Sequence, residues 1–244
     1  MSLLIIGILG TLIGSFLNAT AMRLVRRETW RGRSYCRTCN HLLYWYELIP
    51  LLSFVWLRGS CRHCHGRIGW RYPTTELATA VIFILTWFFS SSALGIRNIF
   101  FVSILFLLVL TDWEAGVLPD VITLPAIVAV GAINVFLAFS WISFTITALV
   151  GALFFAGQYW FSRKKWVGSG DIRLGALIGF MVVQLPALLL ALMVSYIVGA
   201  VVALIGIATG RLKWHSRVPF APFMAFGTWI ILIFGDHLLT YVVG

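Results

Sequence analysis

Eight apolar runs, near residues 3–22, 76–94, 98–113, 120–139, 142–161, 172–184, 186–209 and 220–242, take up most of this chain and leave it few ways to fold. A stretch of about 20 apolar residues, coiled as a helix, matches a hydrocarbon layer roughly 30 Å thick. Inside such a layer every backbone N–H and C=O must find its partner within the protein, which selects helices for runs of this kind. With 61% hydrophobic and 11% charged residues over 244 positions, the composition fits a polytopic membrane protein and excludes an ordinary soluble domain. The expected fold is therefore an all-α polytopic membrane protein with about eight transmembrane helices. The sixth run is short for a bilayer, which calls for tilt, re-entry or cover by neighbouring helices.

Charge placement gives the topology. Of the 18 Lys and Arg, ten lie between Arg23 and Arg71. Arg163, Lys164, Lys165 and Arg173 flank residues 168–171, and Arg211, Lys213 and Arg217 precede the last run. Only Arg97 falls on a connection of the opposite parity. Basic loops gather on the cytoplasmic side, so both termini are expected outside, with the basic loops in the cytoplasm. The net charge of +10 then reads as topology and as anchorage to a lipid bilayer with anionic head groups, not as a nucleic-acid footprint. The first run lacks a basic segment before it and is followed by Arg23, Arg26 and Arg27, so it reads as an uncleaved span. No internal repeat with a clear period stands out.

All four cysteines fall in the one sizeable soluble segment, as Cys36-x-x-Cys39 and Cys61-x-x-Cys64. Two such knuckles about 20 residues apart match a tetrahedral zinc site built from four thiolates. On the cytoplasmic side disulfides rarely persist, which favours a metal over bridges. Four cysteines leave no open coordination position, so the zinc would be structural and would staple a small zinc-ribbon-like insertion. His41, His63 and His65 could substitute as ligands but read better as surface residues. Leu48–Leu52, with Trp45, Tyr46 and Trp56, forms an amphipathic stretch suited to a membrane surface.

Only eight residues are Asp or Glu, so each acid can be weighed. Asp112 ends the third run and Asp171 stands in Gly168-Ser169-Gly170-Asp171, immediately before the sixth. An acid at membrane depth costs several kcal/mol and is a functional candidate by default. Asp120, after Pro119, is well placed to cap the fourth span. Asp171 could cap the sixth, but a cap does not need two glycines, which allow unusual dihedrals and close approach of another segment. Glu114 reads as solvated, and Asp236 with His237 as an interfacial pair. Two neighbouring aspartates cannot both ionise cheaply, so one serves as general base toward water while the other, protonated, polarises a carbonyl. Asp112 and Asp171 are the catalytic candidates for such aspartic-protease chemistry.

The ordered segments resemble those of the type IV prepilin peptidases, a family of Gly-x-Gly-Asp aspartic proteases of the bacterial inner membrane. The matching stretches are Gly14-Ser15-Phe16-Leu17-Asn18, the two Cys-x-x-Cys knuckles with Ile49-Pro50-Leu51-Leu52-Ser53 between them, Arg71-Tyr72-Pro73-x-x-Glu76, and Asp112 with Leu118-Pro119-Asp120. Gly168-x-Gly170-Asp171 and Pro219-Phe220-Ala221-Pro222-Phe223 complete the set. Arg173 stands where the family usually shows lysine, and Ala221 where glycine is usual. The resemblance implies a first transmembrane helix over 1–22, a cytoplasmic four-cysteine zinc domain over 23–75 with Cys36, Cys39, Cys61 and Cys64 as ligands, and a transmembrane protease domain over 76–244.

It also implies cleavage of the basic leader of prepilins or pseudopilins just after a glycine, followed by N-methylation of the new N terminus with S-adenosylmethionine. No Gly-rich dinucleotide-type fingerprint accompanies that second activity. Glu47 and Glu76 could contact a cofactor or an amine, but a surface or interfacial role suits them at least as well, and no cofactor-binding residue is assigned. A loop of net positive charge would repel a basic leader, so the apolar helix of the substrate is expected to supply most of the binding energy. Two alternatives stay open: a Gly-x-Gly-Asp intramembrane protease with other substrates, and a non-catalytic membrane assembly or transport protein. The oligomeric state is not legible.

Overall fold

A computed structural model describes residues 2–29, 32–165, 167–213 and 218–243, leaving aside the side chains of residues 92, 236, 237 and 239–243. The expectations for Arg217 and for the Asp236–His237 pair thus lie outside the described residues. All eight apolar runs are helical: α1 (Leu3–Val25), α3 (Arg71–Phe89), α4 (Ser92–Ala115), α5 (Asp120–Phe136), α6 (Trp141–Phe161), α7 (Ser169–Val182), α8 (Leu185–Ala208) and α9 (Ala221–Val243). A single helical turn, α2 (Leu52–Trp56), interrupts the cysteine segment. Five helices, α1, α3, α4, α6 and α8, are long and apolar enough to cross a membrane, so the chain is an all-helical, polytopic membrane protein. The chain divides into two compact units, residues 1–99 and 100–244, with the boundary inside α4.

In the first unit, α1 and α3 meet along a seam of small residues. A Cβ added to Gly10 would lie 2.6 Å from Ala80 Cα, and one on Gly14 2.6 Å from Thr79 Oγ1. Close backbone approach of this kind replaces the hydrophobic drive that apolar helices lack in lipid. Arg71 Nε donates to the buried Asn18 Oδ1 (3.0 Å), tying the first turn of α3 to α1. Helix α3 therefore starts at Arg71, five residues ahead of its apolar run (71 against 76). Pro73 fits in that first turn, where a missing N–H is not missed. Ile6, Phe83 and Ile99 close a small core.

The second unit packs around α7, whose Leu174, Leu177, Ile178 and Met181 are fully buried with Phe155, Leu188 and Met224. Fourteen residues make a helix only about 21 Å long. Of the three ways to accommodate a short run, α7 takes cover from neighbours. Its C-terminal end, where Val183 has φ +64, is closed by side chains from other helices. Asn134 Nδ2 donates to Phe180 O (2.6 Å), and Ser143 and Thr147 hydroxyls donate to Val183 O (2.9 and 3.1 Å). These bonds satisfy helix-end carbonyls that would otherwise be orphaned in an apolar setting. Gly175 has no room for a side chain, since a Cβ there would lie 2.6 Å from Gly151 O on α6.

Candidate active site and metal centre

The two cysteine knuckles fold as near-copies. In the first, Cys36 N–H bonds His41 O (2.8 Å), Asn40 N–H bonds Cys36 O (2.8 Å) and Leu43 N–H bonds Ser34 O (2.8 Å). In the second, Cys61 N–H bonds Gly66 O (2.8 Å), His65 N–H bonds Cys61 O (2.9 Å) and Ile68 N–H bonds Gly59 O (2.7 Å). Each bond of the second lies 25 positions after its counterpart (Cys36 and Cys61, Asn40 and His65), and both turns use a left-handed residue, Asn40 and His65. An internal repeat is thus present after all. It escapes a reading by period because only a preceding arginine (Arg33, Arg58), Cys-Arg-x-Cys and a following tryptophan (Trp45, Trp70) recur.

The four sulfurs lie within 4.8 Å of one another. A zinc tetrahedron with Zn–S near 2.3 Å has edges of about 3.8 Å. Cys36 Sγ and Cys64 Sγ stand 3.8 Å apart, so the donor set fits such an ion. The thiols divide as crowded acids do. Although burial opposes it, N–H groups of Cys39 and Thr38 and the adjacent thiols lower Cys36 to about 6. Cys39 is favoured as a thiolate by the His41 N–H, yet burial and the three sulfurs around it push it up to about 12. Four thiolates at this spacing need a cation among them. His41 and His63 pack on each other, ring centroids 4.4 Å apart, and neither belongs to the ligand cluster.

Asp112 and Asp171 are both in the second unit. Asp112, in the last turn of α4, is buried, and its Oδ2 accepts the N–H of Ala221, the first residue of α9 (3.1 Å). Asp171, in the first turn of α7, accepts the Gly168 N–H with Oδ2 (2.8 Å). Each carboxylate thereby leans on the positive N-terminal end of a helix. The charge of Asp171 acts through space on Asp112 and also on the Tyr196 hydroxyl.

Asp171 is a cap as well as a candidate base, so the two readings weighed for it are not exclusive. Neither Gly168 nor Gly170 takes a left-handed φ, contrary to the unusual dihedrals expected there. Close approach does hold at Gly170, where an added Cβ would sit 3.0 Å from Leu118 Cβ. The Leu118-Pro119-Asp120 segment is laid directly over the Gly-x-Gly-Asp turn. Asp120 is not the N-cap of α5. Pro119 takes that position, and Asp120 ion-pairs with Arg173, two residues beyond Asp171. Glu114 is exposed.

Some groups at the site have no sign in the sequence. The Ala221 N–H acts through backbone alone. Tyr196 and Gln158, hydrogen-bonded hydroxyl to amide oxygen at 2.9 Å, sit inside apolar runs and read there as filler. A polar residue within a span was the available signal. In the first unit, Glu76 is buried and its Oε2 accepts the N–H of Leu51, a residue with φ +60. That bond fastens the cysteine segment to α3.

Two family models match in tandem: the bacterial peptidase A24 N-terminal domain over residues 8–89, and the type IV leader peptidase family over residues 99–204. The prepilin leader peptidase/N-methyltransferase of Bacillus subtilis (strain 168) is 32% identical over 98% of this chain and 97% of its own length. The proteins of the same name from Burkholderia pseudomallei (strain 1026b) and Aeromonas hydrophila are 30% and 32% identical, each over 93% of this chain and over 84% and 89% of their own lengths. No solved structure matches. Related along almost its whole length to such enzymes, the chain belongs to the type IV leader peptidase family.

Proposed function

We propose that the chain cleaves the basic leader of type IV prepilins or pseudopilins at the cytoplasmic face of the bacterial inner membrane, with Asp112 and Asp171 as its catalytic dyad, and N-methylates the new N terminus. The observation that carries the peptidase reading is geometric: Leu118, on the connection that follows Asp112's helix, packs 3.0 Å from where a Cβ on Gly170 would sit, so the segments bearing the two acids lie against each other within the unit that matches the leader peptidases. Like charges brought together in this way split their protonation. The ionised aspartate takes a proton from water, and the water oxygen attacks the scissile carbonyl. The protonated aspartate donates to the carbonyl oxygen as the tetrahedral species forms. As that species collapses, a proton passes to the leaving amine. Among the described residues a backbone N–H engages only Oδ2 of each acid, so Oδ1 of each is left for water and carbonyl.

The four cysteines hold a structural zinc ion in this reading, which folds residues 23–75 as a zinc-ribbon-like insertion between α1 and the protease domain. Exposed Trp45, Leu52 and Trp56 suit that segment to the membrane surface. All eight long helices embed in the bilayer, with both termini periplasmic. S-adenosylmethionine, when bound, supplies the methyl group. Purified protein is incubated with a model prepilin, with and without S-adenosylmethionine, and the product masses are read. The reading expects leader loss in both and one added methyl only with the donor. An uncut prepilin would overturn the peptidase assignment, and a cut but never methylated product the methyltransferase one.

A further inference from the structure

Tyr196 stands near the middle of α8, and Gln158 near the end of α6 (158 against 161). The Tyr196 hydroxyl donates to Gln158 Oε1 at 2.9 Å and so joins the two helices. Polar side chains on apolar helices are costly in lipid, and an interhelical bond of this kind adds little to the stability of a bundle. A clamp would need one donor and one acceptor. Gln158 brings two donors more, since its amide nitrogen has no hydrogen-bond partner among the described residues, and the side chain is only half-buried. The pair also lies at the site. The Tyr196 ring packs on Phe220 with centroids 4.9 Å apart, and the next residue, Ala221, gives its N–H to Asp112. The charge of Asp171 reaches the same hydroxyl. Phe154 meets the Tyr196 ring edge-on at 6.0 Å, and both rings are exposed, so the pair is open to a molecule arriving through the membrane. A peptide bond within a helix is closed to the dyad, because its C=O is bonded to the N–H four residues on. Cleavage requires the substrate to open locally, and each C=O freed in an apolar setting demands a new donor.

We propose that the Gln158 amide donates to a main-chain carbonyl of the opened substrate segment beside the scissile bond, and that Tyr196 is a positioning residue that orients this amide. The proposal rests on the peptidase half of the function given above. With Oε1 engaged by the tyrosine, the amide cannot turn over without breaking that bond, so its N–H groups keep one direction. A main-chain carbonyl is common to every peptide, so the contact holds a substrate without reading its sequence. It is made away from the atoms that change charge, hence equally in the ground and transition states. Its loss therefore raises KM for the prepilin and leaves kcat nearly unchanged.

The test measures KM and kcat of the purified full-length protein on a model prepilin in detergent, with thermal unfolding of each variant alongside. Gln158→Met keeps an unbranched side chain of similar size and removes the donors. It is expected to raise KM roughly five- to tenfold with kcat within about threefold of wild type. Tyr196→Phe keeps the ring against Phe220 and loses only the hydroxyl, so it raises KM less, by about two- to threefold. Because the tyrosine acts through the amide, Tyr196→Phe adds nothing in the Gln158→Met background. Model prepilins with an ester in place of single main-chain amides around the scissile bond carry weakened carbonyl acceptors. One of them should have a raised KM with wild type and none of that penalty with Gln158→Met. An unchanged KM in Gln158→Met, a fall in kcat that outweighs the rise in KM, or an ester penalty that persists in Gln158→Met overturns the proposal. If Gln158→Met does not fold, an unchanged KM in Tyr196→Phe overturns it. Wild-type protein that leaves the prepilin uncut overturns the peptidase reading itself, a result distinct from the others.

Discussion

In the proposed mechanism Asp171 carries two roles at once, and replacing it by asparagine and by alanine separates them. Its Oδ2 accepts the Gly168 N–H at 2.8 Å, in the first turn of α7. Asparagine keeps a carbonyl oxygen at that place and loses only the charge, worth about 0.3–1 kcal/mol at a helix N-terminus. Alanine loses the hydrogen bond too, for a total of roughly 0.5–2 kcal/mol. Against a native stability of about 5–15 kcal/mol, neither change empties the folded state. If capping were the whole role, Asp171→Asn would cleave almost as well as the wild type and Asp171→Ala only slightly less. If the carboxylate is acid or base in the reaction, both lose activity together, by at least the 10²–10⁴-fold typical of general acid–base catalysis. The assay is initial rate of leader removal from a detergent-solubilised prepilin by mass spectrometry, with thermal unfolding of each variant alongside. Asp171→Asn cleaving within about tenfold of wild type, at unchanged Tm, would refute the dyad.

The other expectations are narrower. Asp120→Asn breaks an exposed ion pair with Arg173, so it should shift stability by no more than about 1 kcal/mol and leave most of the cleavage rate, read in the same assay. Glu76→Ala strands the part-buried Leu51 N–H and should cost about 1 kcal/mol or somewhat more, measured as earlier thermal unfolding, with Glu76→Gln milder because it keeps an acceptor. Cys36→Ser or Cys61→Ser should release zinc, measured by elemental analysis. In the wild type zinc binding displaces protons, above all from Cys39, held up at about 12, so zinc affinity falls as pH falls. A zinc content that does not drop in mildly acidic chelator would contradict that sign.

The apolar runs announced every long helix because lipid leaves a spanning backbone little alternative. Helix ends were harder to read where polar residues carried the first turn. Arg71 and Glu76 look like loop residues until Asn18 and Leu51, far away in sequence, provide their partners. The same limit applied at the site. Asp112 and Asp171 stood out as acids beside apolar runs, whereas their donors did not, since a backbone N–H leaves no residue-type signature. Asp120 shows the reverse error. Pro119 before an apolar run marks a helix start correctly, but the cap position fell to the proline itself, and the acid next to it turned to Arg173.

That division between side-chain and backbone recognition also explains the two departures from the family pattern. Asp112 reads residue 221 through its N–H, so the site asks for a backbone donor at the start of α9 and room for whatever side chain it carries. Ala221 is only 1% exposed, and its methyl group is accommodated in the core of the second unit beside Leu174 and Met224. Glycine and alanine are equivalent there as donors, and alanine gives up less conformational entropy. Arg173 differs in kind, because its recognition runs through the side chain. Its guanidinium meets Asp120, not Asp171, so what the position requires is a cation within reach of the Leu118–Asp120 segment. That segment covers Gly170 so closely that a Cβ there would make Leu118 give way. The ion pair and the small residue at 170 therefore act together: they let the turn that carries Asp171 pack against the connection leading out of Asp112's helix, so that two acids distant in sequence are held on one scaffold.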